Sequence, residues 1–186
     1  MPKNAPPSKN RISTAEKKAQ TIPPTSTNGA KNDLTELLIT GIRELYWIEN
    51  HLIVQVLPKT QESAGMPALK KALTDHLKVT REHARRLEEI FRLLELPPQA
   101  KKSDGLEGLA LEGEGVINST PPDSDARNTG LIMACQKVEN YEITAYKGLS
   151  RLAMQLGKAD IAQLLTDTLA EEQHADDMLA TIADKA

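Results

Sequence analysis

The sequence has little cysteine, few aromatic residues and no long apolar run. Its single cysteine excludes an internal disulfide, which suits a reducing compartment. One Trp, one Phe and three Tyr leave few of the residues that strands favour, and the abundant Ala, Leu, Glu and Lys favour helices. No apolar run approaches the roughly 18 residues of a membrane span, and "MPKNAPPSKNR" lacks an apolar signal core. We therefore expect a cytoplasmic protein without a membrane partner.

The first 32 residues differ from the rest of the chain in composition. They contain six Lys or Arg and one acid, with many Pro, Ser, Thr and Asn and almost no large apolar side chain. Such a segment buries too little surface to offset the entropy lost on ordering, so we predict a disordered basic tail over 1–32. Prolines dilute its charge. This favours a solubilising role over the alternative, contact with nucleic acid or another anionic surface.

Residues 33–186 carry a helical apolar period and predict one all-α domain. The predicted long helices cover residues 33–65, 67–97, 124–157 and 158–186. Pro58 lies inside the first helix and should bend it or remove one backbone hydrogen bond. A short, glycine-interrupted helix is expected within 105–119, in the long connection. Short links inside each pair of helices predict an antiparallel four-helix bundle.

The apolar stripe of each long helix is interrupted by polar residues at its centre. The interrupting residues are Glu49, Glu142 and Glu172 in the first, third and fourth helices, and His76, Thr80 and His83 in the second. A lone buried carboxylate costs several kcal/mol or becomes protonated, and several together repel. A bound cation removes both penalties. Carboxylates with imidazole inside a bundle are the ligands of di-iron and di-manganese sites. At any single position, the alternative is a polar residue that fixes helix register.

Three further acids lie close to these centres. Glu139 is one turn before Glu142 and either adds a carboxylate to the site or faces solvent. Glu171 forms a Glu-x-x-His pair with His174, a spacing that lets both side chains reach one metal. That pair is rotated off the apolar stripe, so a surface role is equally expected. Asp176, one turn after Glu172, is a candidate ligand or a partner that holds a ligand in place.

Residues 34–184 resemble the YciE/YciF family of bacterial ferritin-like proteins. The resemblance rests on the segments "IENHLIVQVLPK", "HLKVTREHARRLEEIF", "GLALEGEGVI", "QKVENYEITAYKGL" and "LTDTLAEEQHADDML". It implies a ferritin-like antiparallel four-helix bundle, a di-metal centre and an association with bacterial stress responses. It implies no defined reaction.

Carried over by position, the resemblance also implies a set of metal ligands. The residues implied are Glu49, His83, Glu139, Glu142, Glu171 and Glu172. One departure concerns Val79 in "HLKVT", where the family usually has an acid. The resemblance implies two iron ions. Because the second helix lacks its usual carboxylate, the alternative is a degenerate site with one ion. Manganese is the alternative metal.

Two functional hypotheses follow. The first is a ferritin-like stress protein whose carboxylate and histidine site binds iron, with a di-iron oxidase or peroxide-consuming activity. The second is a non-enzymatic helical stress protein with a degenerate metal site, whose basic tail contacts DNA or anionic partners. We expect a homodimer in both cases. The sequence contains no nucleophile elbow, phosphate loop or Cys/His zinc pattern.

Overall fold

The computed structural model describes the backbone of residues 27–185 and the side chains of residues 31–185. Its helices are α1 (Thr27–His51), α2 (Leu57–Ser63), α3 (Pro67–Leu93), α4 (Asp104–Ser119), α5 (Asp125–Gln155) and α6 (Ala159–Ala183). No strand occurs in the described part of the chain, which confirms the all-α prediction. None of the described helices combines the length and apolar character that crossing a membrane requires.

The long helices form two hairpins that pack against each other. The short links 64–66 and 156–158 connect α2 to α3 and α5 to α6, so the helices of each hairpin run antiparallel. Helix α1 packs on α3 and α5, and α6 packs on the same two helices from the other side of the bundle. Helix α4 lies in the long connection and packs on α5. The predicted ferritin-like bundle with a short extra helix is thus confirmed.

Helix α1 begins six residues before the predicted domain boundary at Asp33. The boundary was predicted from the first apolar residues, whereas polar residues extend a helix without adding to its apolar face. Residues 1–26 lie outside the described part of the chain, so the predicted disorder and anion contacts of the tail stay predictions.

A π-helical turn, Leu52–Val56, joins α1 to α2 at the predicted bend. The N–H of Leu57 donates to the carbonyl of Leu52, five residues back. Pro58 follows directly and has no N–H to donate, so the regular α-helical pattern could not continue through it. The π-helical turn inserts one residue into the helix just after Glu49. Single π-helical turns of this kind are frequent at functional sites.

The core has apolar layers on both sides of a polar centre. The buried apolar residues include Leu38, Ile42, Leu45, Leu69, Leu73, Leu87, Ile90, Leu131, Leu165 and Leu179. They occupy the two ends of the stripes predicted from the sequence, and the polar residues fall between them. Burial of these side chains excludes water from both ends of the centre, which strengthens every electrostatic interaction inside it.

Candidate metal centre

Five ionisable side chains are buried together in the middle of the bundle. They are Glu49 from α1, His83 from α3, Glu139 and Glu142 from α5, and Glu172 from α6, each at most 3% exposed. Each lies on the core face of its helix because its spacing matches the apolar residues above and below it. Charged residues are almost never this buried unless they are paired or bind a metal.

Three of these side chains form what we call the inner group: Glu49, His83 and Glu172. Each offers a ligand atom within 4.8 Å of the others. The Nδ1 atom of His83 lies 2.9 Å from Oε1 of Glu172 and 3.6 Å from Oε1 of Glu49. All three side chains are fully buried.

A second set, which we call the outer group, consists of His76, Glu139 and Glu172. Its ligand atoms also lie within 4.8 Å of one another. The Nε2 atom of His76 is 3.4 Å from Oε1 of Glu139 and 3.9 Å from Oε2 of Glu172. Glu172 therefore belongs to both groups, with Oε1 beside the inner imidazole and Oε2 beside the outer one.

Most of the side-chain nitrogen and oxygen atoms of the five buried residues have no hydrogen-bond partner. In the described part of the chain, eight buried side-chain nitrogen and oxygen atoms are unpartnered, and seven belong to the five buried side chains of the centre. Both oxygens of Glu142 and both of Glu172 are among them. The Nδ1 atom of His83 is close to Glu172 without the alignment of a hydrogen bond. Buried polar groups in proteins are normally satisfied, so this cluster is a candidate site for a bound cation.

The carboxyl groups on α5 are strongly disfavoured as anions in this environment. Burial raises the pKa of Glu139 and of Glu142 well above the ordinary value of 4.5, and the neighbouring Glu172 raises both further. Burial likewise raises the pKa of Glu49, although His83 opposes that shift. Without a cation, these carboxyl groups therefore tend to keep their protons.

The pKa values of His83 and Glu172 shift in the directions that favour an ion pair. Burial disfavours a charge on His83, but contacts with Glu172 and Glu49 outweigh it and raise its pKa to about 10. Burial would raise the pKa of Glu172, but His83 outweighs this and lowers it. The metal-free centre thus holds protons that a bound cation would replace, because ligands bind metals in their deprotonated forms.

Glu171 lies behind the inner group and belongs to neither group of ligands. Its Oε2 is 2.9 Å from Nε2 of His83, on the side of the ring away from the centre. Arg86 donates hydrogen bonds to both oxygens of Glu171. The side chain of Glu171 is 39% exposed. The family resemblance implied that Glu171 is a ligand, whereas its position off the apolar stripe made a surface role equally expected. It precedes Glu172 by one residue, which turns it about 100° away from the core. Its position suits holding the His83 ring in place.

Tyr146 supports the inner group from α5. Its side chain is buried, and its hydroxyl donates a hydrogen bond to Oε1 of Glu49. Burial, together with the nearby carboxylates, raises the pKa of this phenol well above its ordinary value, so it stays a donor. Sequence reasoning did not assign this contact, or that of Arg86, because neither residue lies on the predicted stripes.

The sequence placed His76 at the polar centre of the second helix, but the ligand set implied by the resemblance did not include it. It precedes His83 by seven residues, two turns on the same face of α3, and this spacing was the available signal. Val79 removes the usual acid of the second helix, yet α3 still directs two imidazoles toward the centre. At the centre, α3 thus presents two imidazoles and no carboxylate.

The remaining candidates lie at the periphery. Asp176 accepts hydrogen bonds from Gln136 and Asn140, at 3.2 and 3.3 Å. Glu82 pairs with Arg85 on the exposed face of α3. The side chain of His174 is exposed, so the Glu-x-x-His pair that it forms with Glu171 does not enter the core.

Comparisons with known proteins agree with the architecture. Residues 33–186 match the family described as "Domain of unknown function (DUF892)". The chain is 33% identical to Protein YciF of Escherichia coli (strain K12) over 151 residues, which cover 81% of this chain and 90% of that protein.

Solved structures are similar over the same region. A protein of Rhodopseudomonas palustris, described as YcfI, a putative structural protein, matches with a TM-score of 0.77 and 32% identity, covering 80% of this chain and 93% of that one. The E. coli stress protein YciF matches with a TM-score of 0.76 and 33% identity, over 81% and 94%. A protein of Xanthomonas campestris pv. campestris, at 18% identity, TM-score 0.65 and coverage of 82% and 92%, shares the fold.

Proposed function

The chain belongs to the DUF892 family, and we propose that it is a stress protein that binds two metal ions, expected to be iron, in the core of its bundle. Family membership confirms the resemblance to YciE/YciF proteins drawn from the sequence. The association with stress comes from the relative in E. coli, whose structure is described as that of a stress protein. The proposal of metal binding rests on the geometry of the centre itself.

The observation that supports metal binding is the set of seven unpartnered atoms on five buried side chains. Leaving such groups unpaired costs about 1–3 kcal/mol each, and more for charged groups. A cation in each group of ligands would satisfy them and would relieve the repulsion between the carboxylates. The residues present therefore fit two metal ions, with the inner and outer groups sharing Glu172.

The donor types favour iron or manganese. Imidazole nitrogen combined with several carboxylates in a helix bundle is the ligand set of di-iron and di-manganese proteins. Glu142 belongs to neither group of three, but both of its oxygens are buried and unpartnered. It is available as a further ligand to either ion.

Bound iron would supply oxidation chemistry toward dioxygen or peroxide, the activity that we propose for this site. The residues of the chain have the supporting roles. Tyr146 holds Glu49 by a hydrogen bond, and Arg86 holds Glu171 against His83. The apolar layers keep bulk water from the ligands.

A second candidate function is a structural role without catalysis. The relative from Rhodopseudomonas palustris is described as a putative structural protein, which favours this alternative. In that case the centre would bind one metal ion or none, and the protein would act through its surface and its basic tail.

Metal analysis distinguishes the two candidates. The full-length chain is expressed in iron-supplemented medium, purified without chelators, and its metal content is measured by plasma mass spectrometry. We expect two iron ions per chain in this protein. We expect the same content in the Asp177→Asn variant, in which an exposed acid of α6 outside the centre is replaced. Metal at trace level in both proteins would contradict the proposal, and one ion per chain would identify a degenerate site.

Two further parts of the proposal concern partners. We propose a homodimer in the cytoplasm, which sedimentation velocity would test through the mass of the particle. Nucleic-acid contact through the tail is the less favoured alternative. It predicts salt-sensitive DNA binding that disappears when residues 1–32 are deleted.

A further inference from the structure

A pocket of about 220 Å³ lies beside the metal centre, between the π-helical turn, α4 and α5. Most of its wall is apolar. The apolar side chains that line it include Leu52, Val56, Leu57, Leu109, Ile117, Leu131 and Val138. On its solvent side, the half-exposed Lys59 and Glu114 form a salt bridge that links α2 to α4.

The floor of the pocket belongs to the outer group of ligands. His76 and Glu139 line it, whereas Glu49 and His83 of the inner group do not. Cys135, one turn before Glu139, lines the same wall. A molecule in the pocket would therefore touch the outer group and leave the inner group covered.

Small residues keep this space open. Gly113 on α4 faces Ala134 on α5, and both line the pocket. A Cβ atom built on Gly113 would lie 3.7 Å from the Cβ of Ala134, an ordinary contact distance. A larger side chain at Gly113 would therefore fit on the backbone and would occupy the space that the pocket now has.

The floor is polar where His76 and Glu139 meet. Nε2 of His76 lies 3.4 Å from Oε1 of Glu139, and the His76 side chain is 12% exposed, whereas Oε2 of Glu139 is buried out of reach of the pocket. An occupant with a hydroxyl group at one end would form a hydrogen bond with this pair, which an apolar occupant would not. Apolar walls with a few convergent polar atoms are typical of small-molecule sites.

We propose that this pocket binds a small, mainly apolar molecule that ends in a hydroxyl group, with that group placed between His76 and Glu139. The volume suits a molecule somewhat larger than benzene, since a cavity of about 150 Å³ is known to bind benzene. The role of the pocket rests on the proposed function. The proposal deepens that function, because the outer ion would be the one that a substrate in the pocket reaches. Occupancy of the pocket itself does not depend on metal.

The experiment compares phenol with toluene, which has nearly the same shape but no hydroxyl group. Each is titrated calorimetrically into the full-length, metal-free protein. We expect phenol to bind about tenfold more tightly, the effect of one additional hydrogen bond. Gly113→Leu should weaken phenol binding at least about tenfold by filling the pocket. Gly115→Leu, two residues along the same helix at a position with open space, should leave it unchanged.

Folding and metal content are controlled separately. Thermal unfolding shows whether each glycine variant folds, and Ala134→Met fills the same space from α5 if Gly113→Leu does not. No saturable binding of phenol, or equal binding in the Gly113 and Gly115 variants, would overturn the pocket. Equal affinity for toluene would overturn the hydroxyl contact. Iron content of the Gly113→Leu variant is measured in parallel, so that failure of the pocket and failure of the metal site give different results.

Discussion

The inner and outer groups share Glu172 and the same four-helix core, yet they differ in what surrounds them. The inner group is fully buried, and side chains outside the ligands hold two of its members. The outer group borders a pocket, and its His76 side chain is 12% exposed. In the proposed function, the inner ion would be enclosed by the core and the outer ion would be reachable from the pocket.

The two histidines of α3 show how the surroundings create this difference. They are seven residues apart on one face of one helix, and both lie among carboxylates. Burial lowers the pKa of His76, with its nearest carboxylate oxygen at 3.4 Å. His83 is buried too, but its close contacts with Glu172 and Glu49 raise its pKa to about 10. Local sequence gives both residues the same face, and the neighbouring helices decide their charge.

The largest expected effect comes from the residue that both groups share. Replacing Glu172 by Gln removes an anionic ligand from each group, so both ions should be lost. Because removing even an outer partner of a ligand costs 10–100-fold in affinity, we expect a loss of more than about 100-fold here. Calorimetric titration with Fe²⁺ without oxygen measures it, with Asp177→Asn as control. Retention of one ion at full affinity would show that the groups are independent.

Single-group variants sharpen the comparison. Glu49→Gln should remove the inner ion and His76→Gln the outer ion, so each variant should bind one ion instead of two. The ion that remains in His76→Gln is enclosed by the core, whereas the one in Glu49→Gln faces the pocket. We expect a chelator to remove the second much faster than the first, as followed by absorbance. Equal rates would contradict the assignment of inner and outer positions.

The metal-free protein should lose stability as pH rises. The folded-state pKa of Glu142 is raised above its ordinary value of 4.5, so the folded state binds more protons than the unfolded state above that pH. Its contribution is present at and below pH 4.5 and is lost as pH rises toward the raised pKa. Glu142→Gln cannot ionise and should be more stable than the parent by about 2 kcal/mol at pH 8, within the range for an unsatisfied buried group.

Urea unfolding of the metal-free proteins at pH 5 and pH 8 measures this effect. The advantage of the glutamine variant should shrink at the lower pH, where Glu142 of the parent keeps its proton. With metal bound, the order should reverse, because the metal requires the carboxylate. A difference that is the same at both pH values would indicate a packing effect instead.

The smallest expected effect concerns Glu171, outside both groups. Glu171→Gln should weaken the inner ion about tenfold and leave the outer ion unchanged, as expected for a residue that orients a ligand. It should also lower the pKa of His83 in the metal-free protein, measured by NMR titration of the ring. Complete loss of an ion would make Glu171 a ligand, as the sequence resemblance implied.

Much of the architecture was predictable because it depends on short-range periodicity. The apolar stripes predicted the long helices, and the structure buries Glu49, Glu142 and Glu172 where those stripes turn polar. The bend at Pro58 was expected as well, since the missing N–H is a property of one residue. Its form as a π-helical turn was not, because other hydrogen-bond patterns also accommodate a proline.

The contacts behind the ligands were less predictable. Tyr146 and Arg86 lie off the stripes, and nothing in their spacing shows that they meet Glu49 and Glu171 across the bundle. The pocket depends on Gly113 and Ala134, which are separated in sequence and meet only because α4 folds back on α5.

The sequence by itself determined that this chain forms a helical bundle and that carboxylates and imidazoles occupy its centre, because helix formation and the buried face depend on a local period of 3.6 residues. Tertiary structure alone decided which of those side chains lie within reach of one another. The rotation of each helix about its axis, and its height against its neighbours, are set by packing of the whole core. These quantities turned Glu171 away, brought His76 to Glu139, and placed Glu172 between the two groups.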